Sequence, residues 1–93
     1  RNMIRRYARR KLPQIGECYA KELLVTPELG GIVSTYIEIL PDGQVQKATT
    51  VGLSNQNLES CVSKVIKTIQ FAKSKKDVRT TSYGFIFNPG YWD

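Results

Sequence analysis

The stretch "GIVSTYIEILPDGQVQKATTVG" constrains this chain more than any other. Val33, Thr35, Ile37 and Ile39 alternate with Ser34, Tyr36 and Glu38, the period-two pattern of a half-buried strand. "PDG" at 41–43 supplies tight-turn chemistry, and Val45 to Val51 runs back as a second strand that Gly52 ends. A hairpin with one apolar face has to bury it, and the flanking segments must provide the cover.

Both flanks have the helical period. Before the hairpin, Ile4, Ala8, Leu12, Ile15, Tyr19 and Leu23 recur at steps of three and four and trace one helical face. Pro13 lies inside that pattern without a backbone donor, so a kink or a break is expected there, and the continuous stripe favours one kinked helix. After the hairpin, Leu58, Val62, Val65 and Ile69 form a second stripe with Cys61 and Ile66 beside it, and Ser54 or Asn55 as N-cap. "KSKKD" connects to a last strand over residues 78–87, in which Thr81, Tyr83, Phe85 and Phe87 share the core-facing parity. "NPG" closes it, with Tyr91 and Trp92 trailing. The order helix, hairpin, helix, strand predicts a two-layer α+β domain: two helices on one face of a three-stranded antiparallel sheet. The other face, with Ile32, Ser34, Tyr36 and Glu38, is expected to be partly solvated.

Ninety-three residues hold one such domain. No stretch approaches the roughly 20 apolar residues of a membrane span. The chain begins at Arg1 and is read as a piece of a longer protein. Its net charge of +6 resides in residues 1–11, where Arg1, Arg5, Arg6, Arg9, Arg10 and Lys11 meet no acid. From Leu12 onward bases and acids balance, so residues 1–11 are read as a basic connector and residues 12–93 as the domain. Cys18 and Cys61 lack the close pairing of a zinc site, and there is no histidine. Spacing alone leaves them as one disulfide or as two buried thiols. Without histidine the commonest general base is missing, and no nucleophile elbow, phosphate loop or dinucleotide fingerprint occurs. The reading is non-catalytic, with no cofactor and no metal.

The run from "LPQIGECYAKELL" through "PELGGIV", the "DG" hairpin, "LESCVSKVI" and the closing "YGFIF" resembles the TonB-like C-terminal domains of the AgmX/PglI type, over about residues 10–88. Gly84 stands where that pattern usually has proline, which restores a backbone donor to the last strand, and "IQFAKSKK" replaces its usual second-helix ending. The resemblance implies a Cys18–Cys61 disulfide pinning the helices together. It also implies the periplasmic domain of an inner-membrane-anchored, envelope-spanning protein in energy transduction, gliding motility or protein transport. The partners implied are an extended segment of an outer-membrane or periplasmic protein, and an inner-membrane motor reached through a missing N-terminal region.

In such a sheet the first hairpin strand is central and the last strand lies at an edge, where another extended chain can add. The partner-binding residues expected are Val78, Arg79, Thr80, Ser82, Gly84 and Ile86, with Lys73, Lys75 and Lys76 steering an acidic partner. Two rival readings use the same chain differently. A nucleic-acid module would use the Arg-rich start, but only Tyr7 interleaves its basic residues and no recognition motif appears, so no nucleic-acid partner is expected. A homodimer would pair two copies through the same last strand.

Overall fold

The structure is a computed structural model that describes residues 2–75 and 77–90; Arg1, Lys76, Tyr91, Trp92 and Asp93 lie outside the described residues. Helices α1 (Asn2–Arg10), α2 (Leu12–Leu23) and α3 (Gln56–Ile66) accompany strands β1 (Gly31–Ile39), β2 (Val45–Val51) and β3 (Arg79–Phe87). The three strands form one antiparallel sheet in the order β2-β1-β3. The domain is therefore α+β, with β1 central and the last strand at an edge, as the element order predicts.

The first helical segment is divided rather than merely kinked. Pro13 has no N–H to give to the carbonyl four residues back, so the ladder fails just before it. Lys11 turns at φ −95° and ψ 0°, its N–H reaching only to the Ala8 carbonyl at 3.0 Å, and α2 restarts with Pro13 in its first turn. The basic start is also more than a connector. Ala8 is fully buried in the core, and the Tyr7 ring packs on Phe71 with centroids 4.8 Å apart. The folded unit thus includes α1, because its stripe continues that of α2.

The hairpin turns where Gly43, at φ +94°, donates its N–H to the Leu40 carbonyl at 2.8 Å. α3 starts at an N-cap: Asn55 Oδ1 accepts the Leu58 N–H at 2.9 Å. It ends sooner than the apolar stripe does. The Thr68 hydroxyl donates to the Val65 carbonyl at 2.6 Å, and the Phe71 N–H is taken by the Gly43 carbonyl at 2.8 Å. Ile69 and Phe71 stay buried although they follow the helix.

Between the layers lie Val33, Ile37 and Ile39 of β1, Phe85 and Phe87 of β3, Ile15 and Tyr19 of α2, and Leu58, Val62 and Ile66 of α3. Cys18 and Cys61 form the disulfide that joins α2 to α3, their Cα atoms 5.7 Å apart. The Tyr19 hydroxyl donates to the Leu29 carbonyl and ties the α2–β1 loop to the core. Thr35 and Thr50 are buried but satisfied: Thr35 Oγ1 lies 3.1 Å from Thr50 Oγ1, which lies 2.7 Å from Ser63 Oγ on α3.

Candidate functional site

β3 presents its outer edge and one face of its side chains. It pairs with β1 in unbroken register from Gly31↔Phe87 to Ile39↔Arg79. The direction of its amides follows from the hairpin. The Leu40 N–H donates to the Gln44 carbonyl at 2.8 Å, so even-numbered positions of β1 turn their N–H and C=O groups toward β2. Odd-numbered positions then turn toward β3, and on β3 the residues opposite them, Thr81, Tyr83, Phe85 and Phe87, complete those bonds. The N–H and C=O groups of Thr80, Ser82, Gly84 and Ile86 consequently point away from β1, along the outer edge. All four residues are exposed.

The other edge of the sheet is built differently. β2 is seven residues long, its pairing with β1 slips by one residue between Glu38 and Ile39, and it carries an exposed lysine, Lys47. Bulges and edge lysines both discourage strand addition. β3 is nine residues long, without a bulge, a proline or a charge after Arg79. Of the two edges, β3 is the one suited to receive another strand.

The expected site residues fall into two groups. Thr80, Ser82, Gly84 and Ile86 share the open face and the open edge, as their parity predicts. Val78 lies just before the strand and is exposed. Arg79 is held otherwise: its guanidinium donates to the carbonyls of Ala72 at 2.8 Å and Leu40 at 3.4 Å, fixing the start of β3 to the hairpin. Lys73 and Lys75 are exposed on the preceding connection, while Lys76 lies outside the described residues. Phe85 and Phe87 are buried and Tyr83 is half-buried, on the helix side.

Two features of the site are not visible residue by residue in the sequence. On the open face Ile86 lies directly opposite Ile32, and Val51 joins that end of the sheet through its pairing with Ser34. Toward the other end, residues that include Tyr36, Glu38, Lys47, Thr49, Thr80 and Ser82 line a shallow depression. Register decides both, and the alternation of Ile32 and Ile86 with core residues was the available clue. The second feature is that α1 packs beside β3. Among the described residues no helix is long and apolar enough to cross a membrane, and no cluster of His, Cys, Asp or Glu is placed to hold a metal ion.

Comparison with protein-family models, with curated proteins and with solved structures finds no match, so the reading of this site rests on its own geometry.

Proposed function

We propose that this chain is a non-catalytic docking domain that captures an extended segment of another protein by strand addition to β3. The observation that carries the reading is the contrast between the two edges: β2 is bulged and carries Lys47, whereas β3 offers the amides of Thr80, Ser82, Gly84 and Ile86 in one straight row. Backbone bonds to such a row give affinity with little demand on sequence, and alternate side chains of the added strand provide selectivity. The edge is already extended, so only the partner has to be ordered on binding.

The resemblance of the hairpin, helix and closing-strand motifs to TonB-like domains supports the setting. In this reading the domain works in the periplasm, on an inner-membrane-anchored protein that spans the envelope and relays energy or motion. The partner is then a segment of an outer-membrane or periplasmic protein, and the motor is engaged through a preceding region. The disulfide agrees with an oxidising compartment.

A photocrosslinking side chain placed at position 82, with a control at Ser60 on α3, tests the reading in living cells. Adducts with an envelope protein from position 82 and not from position 60, lost when Thr80→Pro is added, are expected. Adducts from position 60 alone would overturn the reading. Adducts from position 82 with a second copy of the chain would replace it by homodimerisation through the same edge.

A further inference from the structure

Helix α1 has two unlike faces. At about 3.6 residues per turn, Ile4, Tyr7 and Ala8 fall on one side of it, and Arg5, Arg6, Arg9 and Arg10 fall on the opposite side. The first set is packed: Ala8 is fully buried, Ile4 and Tyr7 lie against the core, and the Tyr7 ring meets Phe71. The second set is exposed and lines one shallow concavity. The helix contains no acid, and among the described residues no carboxylate pairs with any of the four arginines. Arg5 and Arg9, like Arg6 and Arg10, stand four residues apart, a spacing at which like charges repel. Anions that settle on this face relieve that repulsion.

The connection after α3 adds basic residues to the end of the domain that α1 reaches. The Phe71 N–H is bonded to the Gly43 carbonyl at 2.8 Å and the Ser74 N–H to the Pro41 carbonyl at 2.9 Å, which straps this connection to the hairpin turn. Tyr7 packs on the same strap, through Phe71, and has the Arg10 guanidinium 5.3 Å from its ring centre. Lys73 and Lys75 are exposed on the strap. The acids of these segments, Asp42 and Asp77, are outnumbered, and the Asp42 carboxylate already accepts the Gln44 N–H at 3.0 Å.

We infer that α1 is a headgroup-binding surface, by which the domain adsorbs to a membrane carrying anionic phospholipid. A guanidinium offers paired, parallel donors to phosphate oxygens. Each cation held near an anionic bilayer strengthens binding by roughly fivefold. From Arg5 to Arg10 the helix advances about 7.5 Å, so the four side chains meet separate headgroups more readily than they close on one phosphate ion. Nucleic acid fits less well, because Tyr7, the one aromatic residue of α1, is packed on Phe71 and not open to stack on a base. With Ile4, Tyr7 and Ala8 turned to the core, contact stays at the headgroups and no apolar side chain of this set enters the bilayer. The inference concerns α1 and does not depend on strand addition to β3.

Co-sedimentation of the chain with lipid vesicles tests it. Vesicles of phosphatidylcholine containing about one-third phosphatidylglycerol should bind at least about tenfold more tightly than phosphatidylcholine alone. The difference should vanish at about 1 M salt, where the screening length is about 3 Å. A variant combining Arg5→Gln, Arg6→Gln, Arg9→Gln and Arg10→Gln, checked for fold by circular dichroism, should lose at least about tenfold. A control with the same change in net charge, Lys21→Gln, Lys47→Gln, Lys64→Gln and Lys67→Gln, alters exposed lysines outside α1 and should lose less than about threefold. Equal binding to the two kinds of vesicle overturns the inference, and so do equal losses in the two variants. Displacement from the vesicles by oligodeoxythymidine or a short DNA duplex, at equal phosphate concentration, overturns it in favour of nucleic acid. Displacement by inorganic phosphate at matched ionic strength overturns it in favour of a site for a single ion.

Discussion

Ile32 and Ile86 stand directly opposite each other on the uncovered face of the sheet, each about two-thirds exposed. Cross-strand pairs of this kind contribute to a sheet, yet most of their apolar surface is left to water. Ile86→Thr keeps a β-branched side chain and removes apolar area. It should change folding stability by less than about 0.5 kcal/mol. It should weaken capture of an extended partner by about 1 kcal/mol, roughly fivefold. Urea unfolding and anisotropy titration of the same protein separate the two effects.

Two glycines should respond in opposite directions. A Cβ at Gly84 would meet nothing nearer than 3.9 Å, so Gly84→Ala should stabilise β3 by about 0.5–1 kcal/mol. At Gly43, φ is +94° and a Cβ would fall 1.9 Å from the Phe71 carbonyl oxygen. Gly43→Ala should therefore destabilise by about 2–4 kcal/mol and loosen the hairpin from the segment after α3. Thermal unfolding of both variants checks the contrast.

Much of this arrangement was legible in the sequence, and the remainder has a physical reason. The alternation from Val33 to Ile39 and the "PDG" turn place the hairpin, and the parity of Thr81 to Phe87 assigns the buried face of β3. Local periodicity reports such features because each depends on one element alone. The division at Lys11 turned on whether Pro13 bends or stops the ladder, which a continuous stripe does not reveal. Arg79 is expected from sequence to face a partner, whereas the carbonyls of Ala72 on the preceding connection and of Leu40 at the distant hairpin hold its guanidinium. The placing of α1 beside β3 and of Ile86 opposite Ile32 depends on packing and register across the chain, which no window of residues contains.

The Cys18–Cys61 bond closes a separation of 43 residues. Restricting the unfolded chain by a loop of that size stabilises the fold by about 4 kcal/mol in the chain-entropy model. Urea unfolding with and without reductant should show a loss of about 2–4 kcal/mol on reduction, and a Cys18→Ala, Cys61→Ala double variant should no longer respond to reductant.

Burial raises the pKa of the Tyr19 phenol above its ordinary value of 10.0. The unfolded phenol ionises first, so the stabilisation is complete below about pH 10 and is lost as pH rises through the higher folded-state value. Tyr19→Phe should cost about 1 kcal/mol at neutral pH through the lost bond to the Leu29 carbonyl, and should flatten the alkaline fall in stability. Chemical denaturation at a series of pH values above 8 reads both.

In the proposed docking mode a partner adds its backbone to β3. Amide hydrogen exchange resolved by residue, with and without a synthetic peptide of the segment that crosslinks at position 82, tests it most directly. New protection is expected at Thr80, Ser82, Gly84 and Ile86, whose amides face outward in the free domain, with Ala48 and Thr50 of β2 unchanged. Protection that appears on β2 or along α1 alone, while those four amides exchange as fast as before, would contradict it.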